Sequence, residues 1–377
     1  MRIGIDCRRI LDPKNNESAG IGYYTYYLIK NLLELDKTNQ YFLFLYDLRI
    51  KLDEFKQDNV QIIYFPGLEN LGKVPFFYRH LFVPQILRLY HLDVYHNPAY
   101  IIPFFYFGKS VITVHDLAYY KNPAWFPDHQ FFNTRILTPW SIFKAKKIIA
   151  VSESTKKDLI KYFKVKKEKI EVILEGVDDY CNLSVDESKI EAKFKISEPY
   201  FLALGTLEPR KNLVRLIEAF NEFLKDNPAS NFKLVLAGKK GWKYEPIFEI
   251  IKNLKLEQKV IWVGYVHIPE KIYLLKHSFA LVFPSLYEGF GLPILEAMNM
   301  GIAVVTSNVA SIPEIVIDNA VLIEPEDVVS IKDGLNKIYR DADLRQKLIE
   351  RGRGIARHFT WAKSAQKTLE LFESLKK

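Results

Sequence analysis

The chain has 377 residues, more than one domain usually holds, so two domains of under about 200 residues each are the starting expectation. Hydrophobic residues make up 49% and charged residues 26%, the balance of a globular protein with large buried cores. No run approaches the roughly 20 apolar residues of a membrane span. The net charge is +8, and ten lysines crowd between Lys144 and Lys169, faced there only by Glu153, Asp158 and Glu168. Such a run is either a solvated helix face or a lure for an anionic membrane or polyanionic substrate. Nucleic acid is not expected as a partner, because no binding motif accompanies the lysines.

From the start, Met1-Arg2-Ile3-Gly4-Ile5-Asp6 is a short apolar strand rather than a signal peptide. Cys7 and Cys181 give neither a disulfide framework nor metal spacing, so a reducing cytoplasm is the expected location. Strands are predicted at Arg2–Asp6, Tyr41–Tyr46, Val60–Tyr64, Asp93–His96, Ser110–Val114, Lys147–Val151 and Ile170–Ile173. A second series is predicted at Tyr200–Leu204, Phe232–Ala237, Lys259–Val263, Phe279–Phe283 and Ile302–Thr306. Several are unbroken apolar runs, as parallel strands buried on both faces require. Amphipathic stretches such as Leu213–Lys225 and Glu245–Leu256 lie between them. Such alternation predicts an α/β fold of two Rossmann-like, doubly wound parallel sheets. The strand series pauses between Glu175 and Pro199, which places the boundary between domains at 1–177 and 178–359. A last helix over 360–377 opens on a Thr360 cap and is expected to return to the first domain.

The most informative stretch is FALVFPSLYEGFGLPILEAM, Phe279 to Met298. A buried strand ends at Pro284, a loop carries Glu288, Gly289 and Gly291, and Pro293 suits the opening of a helix. With Glu296 in the first helical turn, both glutamates can face one cleft at the carboxyl end of the strand, where doubly wound sheets bind ligands. The glycines permit close backbone approach, and the helix N-terminus attracts an anion. A second motif, Gly205-Thr206-Leu207-Glu208-Pro209-Arg210-Lys211-Asn212, follows another strand. Arg210 and Lys211 form a natural diphosphate clamp, able to stabilise the charge that grows on a leaving nucleotide diphosphate. Either motif alone also fits surface charge and capping; two at strand ends of one domain do not fit chance well.

The Glu288/Glu296 pair with its GFGLP core, the EPRKN loop and the strand rhythm resemble glycosyltransferase family 4, the retaining GT-B enzymes. The likeness covers nearly the whole chain, and its GTLEPRKN and HDL forms are most similar to bacterial mannosyltransferases of O-antigen and related polysaccharides. It implies an N-terminal acceptor domain, a C-terminal nucleotide-sugar domain and an active site between them. Carried onto this chain, Glu288 would contact the donor sugar and Glu296 the ribose. Arg210 and Lys211 would hold the diphosphate, and the backbone of Phe290, Gly291 and Leu292 would add N–H contacts. Gly264 and Tyr265 would meet the base. No metal or other cofactor is implied, and Asp341-Ala-Asp343 reads as a helix cap rather than a metal site.

In the first half, His115 of Thr113-Val114-His115-Asp116-Leu117 ends a buried strand. A lone histidine is as a rule structural; the resemblance implies contact with the donor sugar near the reaction centre. Gly20 and Gly22, in the loop to the first helix, are expected to approach the diphosphate. Two departures stand out: Tyr23 occupies a position where relatives often carry Arg, and Pro313–Asn319 replaces a small-residue turn. The aromatic stretch 74–107, with Arg79, His80 and Arg88, reads as core, as an acceptor groove or as a membrane-interface surface.

The resemblance thus implies transfer of a hexose, mannose from GDP-mannose foremost, to a saccharide or lipid-linked saccharide acceptor. Peripheral attachment to the inner membrane surface would accompany that role. UDP- or dTDP-sugars (glucose, N-acetylglucosamine, rhamnose) and a GT-B sugar-nucleotide epimerase are the alternatives. A nicotinamide dehydrogenase is disfavoured, since no Gly-x-Gly-x-x-Gly follows the first strand.

Overall fold

The computed structural model describes residues 1–10, 20–48, 50–65, 76–127, 133–177, 180, 183 and 185–376. Cys181, residues 74 and 75 of the aromatic stretch, and the segment 11–19 before Gly20 lie outside them. By its internal contacts the chain divides into two units. The first comprises Met1–Lys121, Asp128–Gly176 and Thr360–Lys377; the second comprises Asn122–Pro127 and Val177–Phe359.

In the first unit, apolar β-branched and aromatic runs form β1 (Arg2–Asp6), β2 (Gln40–Leu45), β3 (Val60–Tyr64), β4 (Val94–Asn97), β5 (Ser110–Val114), β6 (Lys147–Ala150) and β7 (Ile170–Val172). They pair in parallel in the order β3-β2-β1-β4-β5-β6-β7. Side chains alternate between two cores, as a sheet covered on both faces demands. Ile3, Ile5, Tyr41 and Leu43 enter one core together with Trp361 and Phe372 of the helix Trp361–Ser374. Phe42, Phe44, Ile112 and Val114 enter the other. Thr360 caps that helix, its side chain accepting from Lys363 N–H. Where the chain leaves the unit, a Cβ on Gly176 would lie 2.2 Å from the backbone N of Trp361, so only glycine fits.

The second unit repeats the plan with β8 (Tyr200–Leu204), β9 (Lys233–Ala237), β10 (Val260–Gly264), β11 (Ala280–Phe283), β12 (Val304–Ser307) and β13 (Val321–Ile323). The order β10-β9-β8-β11-β12-β13 is the doubly wound arrangement, all parallel, with its reversal between β8 and β11. The predicted strands therefore form, with ends shifted by a residue or two. β13 was not foreseen; three residues are too few to show a period. The pause after Glu175 contains a helix, Glu187–Phe194, whose polarity hides it beside apolar neighbours.

Three local expectations need correction. Gly20 and Gly22 are not in a loop but in the opening turn of the helix Gly20–Leu35. Arg210 and Lys211 sit in a short 3-10 turn, Pro209–Lys211, before the helix Leu213–Asp226 rather than at its start. Glu296 lies in the second turn of the helix Leu292–Asn299, one turn deeper than expected. At Pro313–Asn319 the chain forms the helix Ile312–Val316 and then turns through Ile317 (φ 44°) and Asp318 (φ 62°). Among the described residues, no helix is long and apolar enough to cross a membrane.

Candidate functional site

In the second unit, the carboxyl ends of β8 and β11 bring the two motifs together. Glu288 Oε2 accepts from Arg210 Nη1 at 2.7 Å, and its Oε1 accepts from Lys211 Nζ at 2.6 Å. Arg210 also donates to Tyr287 O at 2.9 Å and pairs with Glu208 at 2.8 Å. Burial alone would raise the Glu288 carboxyl, but the Arg210 and Lys211 charges outweigh it and hold the group down to about 2. The two cations expected to clamp a diphosphate are thus paired with the carboxylate expected to bind sugar. Any anion drawn to either cation would have to compete with that carboxylate.

Backbone geometry fixes this cluster. Asn212, at φ 59°, donates to Pro284 O (3.1 Å) and Pro325 O (2.6 Å), tying the loop after β8 to the end of β11. The hydroxyl of Ser311, fully buried, lies 2.9 Å from Glu288 O and 2.8 Å from Phe290 O; its one proton serves these two carbonyls and so holds the glutamate loop. Gly205 has φ 141°, and a Cβ there would approach Lys211 Cε to 3.2 Å. A Cβ on Gly238 would strike Gly205 O, and Gly238 N–H donates to Gly264 O at 2.7 Å. The ends of β8, β9 and β10 therefore pack backbone on backbone beside the lysine.

Gly291, at φ 119°, is the N-cap of the helix Leu292–Asn299, whose positive end opens next to the Glu288 loop. Phe290 turns its ring into the interior, 6.0 Å from Phe359, which leaves its backbone as the group available to a ligand. Glu296 makes a separate cluster: Lys271 Nζ lies at 2.6 Å and the Tyr180 hydroxyl donates at 3.1 Å. Tyr265 follows β10 and stands edge-on to His267. Asp341 caps the helix Ala342–Ala356 through Leu344 N–H. Among the described residues, no group of three or more His, Cys, Asp or Glu side chains could hold a metal ion.

In the first unit, His115 follows β5 and is held at both ring nitrogens. Nδ1 lies 2.9 Å from Glu175 Oε1, and Nε2 lies 2.8 Å from Pro98 O. The carbonyl can only accept, so Nε2 carries a proton and the remaining contact shares one proton between Nδ1 and Glu175. The Tyr24 ring meets the imidazole edge-on at 4.7 Å. The Gly22 backbone is buried in the same helix as Tyr24, while Gly20 is exposed with open space at its Cβ position. Sequence reasoning missed Glu175, Lys271, Tyr180 and Ser311. A lone Lys or Glu in a polar stretch carries no signal until the fold gives it a partner.

The Glycosyl transferases group 1 family model matches residues 185–355, and the Glycosyltransferase Family 4 model matches residues 18–179. The O-antigen chain mannosyltransferase B of Escherichia coli is 30% identical over 77% of this chain and 76% of its own. The serotype-specific mannosyltransferase WbdA of Escherichia coli is 28% identical over 71% of this chain, which spans 34% of that longer protein. A Campylobacter jejuni N-acetylgalactosamine-N,N'-diacetylbacillosaminyl-diphospho-undecaprenol 4-alpha-N-acetylgalactosaminyltransferase is 28% identical over 60% of each chain. Among solved structures, sucrose-phosphate synthase from Thermosynechococcus elongatus superposes with a TM-score of 0.78 over 100% of this chain and 99% of its own, at 19% identity. With two doubly wound parallel sheets and the paired Glu288, Arg210 and Lys211 at their strand ends, the chain belongs to glycosyltransferase family 4 and has the GT-B fold.

Proposed function

We propose that this glycosyltransferase moves mannose from GDP-mannose to a saccharide or lipid-linked saccharide acceptor, with retention of anomeric configuration. The observation that carries the reading is the Glu288–Arg210–Lys211 cluster at the ends of β8 and β11. On donor binding, the diphosphate draws Arg210 and Lys211 toward its oxygens, and Glu288 is released to the sugar hydroxyls. Gly291, Leu292 and the Phe290 backbone offer N–H groups to the same anion; Glu296 takes the ribose, and Gly264 with Tyr265 flanks the base. As the bond from anomeric carbon to phosphate breaks, negative charge grows where these cations are already held. That arrangement favours the transition state over the ground state. Held far below the usual carboxylate range, Glu288 is a poor proton acceptor at neutral pH. The leaving phosphate oxygen is the better base for the proton of the acceptor hydroxyl, which gives a same-face displacement. His115 acts from the first unit as a catalytic group near the sugar, oriented by Glu175.

The mannose assignment draws on the mannosyltransferase relatives. An N-acetylgalactosaminyltransferase relative keeps a UDP-sugar donor as the second reading. Thermal-shift titration with GDP-, UDP- and dTDP-sugars separates the two, because a ligand raises the melting temperature according to its own affinity. Stabilisation by UDP-sugars alone would sink the mannose reading. Membrane attachment is supported by the first unit's exposed side chains: Phe77, Phe82, Leu89, Phe107 and Phe143 are each at least 60% exposed. Lys144 Nζ and Arg88 lie over the Phe107 ring at 4.3 and 6.0 Å. Apolar side chains fringed by cations suit an anionic lipid interface. Co-flotation with vesicles containing anionic lipid, but not with zwitterionic ones, is the expected result.

A further inference from the structure

The first unit contains a second cationic centre, at the carboxyl ends of β1, β2 and β4. This is the sheet's own reversal point, since β1 and β4 are neighbours in its strand order. Open parallel sheets place ligands there. Asp6, the last residue of β1, is 4% exposed and saturated. Its Oδ1 accepts from Arg8 N (3.0 Å) and Arg8 Nε (2.9 Å). Its Oδ2 accepts from the Tyr95 hydroxyl (2.7 Å) and Asn97 Nδ2 (3.0 Å), and Arg8 Nη2 lies 2.8 Å away.

No acceptor capacity remains there for the donors around it. Among the described residues, the Tyr46 hydroxyl, Arg79 Nε and His80 Nε2 are buried without a hydrogen-bond partner. The Arg8 guanidinium lies 5.4 Å from the centre of the Tyr46 ring. His80 is 2% exposed, and its Nδ1 accepts from Phe104 N–H at 3.0 Å, so its Nε2 bears the proton and is a donor. Burial, with Arg79 and Arg8 adding to it, pulls His80 down to about 4, which keeps that ring neutral. Arg79 is likewise pulled down by burial and by Arg8. Among the described residues, Arg8 and Arg79 thus stand against the carboxylate of Asp6, with unused donors on the cationic side. A buried charge without a counter-charge is costly, and water would satisfy the hydrogen bonds but not the charge.

We propose that Arg8, Arg79, Tyr46 and His80 form a phosphoryl-anion site in the first unit, one that takes a phosphate or diphosphate group. A phosphoryl group supplies what the centre lacks, several acceptor oxygens and negative charge. The site's residues all belong to the first unit, whereas Arg210, Lys211 and Glu288 belong to the second. Its use for the phosphate of a lipid-linked acceptor rests on the glycosyltransferase reading; its capacity for the anion does not.

The test is calorimetric titration of the full chain with pyrophosphate, in the wild type and in Arg79→Gln, Tyr46→Phe and Lys211→Ala variants, each checked for an unchanged melting transition. Lys211→Ala weakens the competing site in the second unit, so pyrophosphate binding that survives there and responds to changes at Arg79 or Tyr46 reports the first unit. Adding Arg79→Gln or Tyr46→Phe to that background should weaken the surviving binding about tenfold or more, the loss of a charge-assisted contact. Affinity for the nucleoside diphosphate should be unchanged in either single variant. Transfer assays then distinguish the source of the anion. A KM raised only for a diphosphate-linked saccharide, and not for the free saccharide, assigns it to the acceptor; KM unchanged for both assigns it to free phosphate. Pyrophosphate binding that is absent in Lys211→Ala, or indifferent to both Arg79→Gln and Tyr46→Phe, overturns the site whatever the donor sugar proves to be.

Discussion

At Glu288 one carboxylate serves two cations, and the balance predicts how substitutions separate binding from transfer. Lys211→Ala removes a charge-assisted contact to the diphosphate and should weaken nucleoside diphosphate binding by about tenfold or more. Glu288→Gln removes the internal competitor for Arg210 and Lys211, so the same titration should show binding that is no weaker than wild type, or tighter. Transfer should nevertheless fall by about 10²–10³-fold, because the sugar loses its carboxylate partner in the transition state. Equal loss of nucleotide affinity in both variants would mean that no competition exists. The depressed pKa gives a second check with a defined sign. A carboxyl held at about 2 instead of 4.5 contributes stability that is complete above 4.5 and is lost as pH falls toward 2. Melting temperature should therefore decline more steeply over that window in the wild type than in Glu288→Gln.

Elements decide where these side chains meet. Gly205 closes β8 at a φ of 141° with Lys211 Cε close to its missing Cβ. Gly205→Ala should both strain the turn and push the lysine off the cluster, costing about tenfold in nucleotide affinity along with stability. Ile317 shows the opposite economy. A β-branched residue at φ 44°, with its side chain 52% exposed, has strain and little packing to justify it. Ile317→Asn should raise stability by about 1 kcal/mol in chemical denaturation, with activity unchanged. The same scale explains what could be read from sequence. Strand runs, the glutamate pair and the Arg210–Lys211 step are local patterns, and each maps to a strand end. The Glu288–Lys211 contact spans 77 positions and depends on β8 lying beside β11, Phe201 against Ala280, which no local pattern states. The same holds for Lys271 with Glu296, and for Arg79 with the buried end of β1, since their partners come from other elements.

Across the whole molecule, the two units hold chemically different centres, so their substitutions should fail differently. Unit two carries the cluster proposed for the donor; unit one carries His115, bound at one nitrogen by Pro98 O and at the other by Glu175. Glu175 is 4% exposed and stands next to Gly176, where the chain passes from one unit to the next. Glu175→Gln keeps a group of the same size but replaces the carboxylate that holds His115 Nδ1 with an amide. The rate at neutral pH should drop by about tenfold or more, as expected when a base or orienting partner is lost. Calorimetric affinity for the nucleoside diphosphate should stay within about twofold of wild type, since Arg210 and Lys211 are held by Glu208 and Glu288 and not by Glu175. A purely structural role for the pair predicts something else: a lower melting temperature and full rescue of the rate at low temperature. Loss of nucleotide affinity in Glu175→Gln would instead mean that the first unit helps to bind the donor diphosphate, and the separation of donor binding from catalysis would fail.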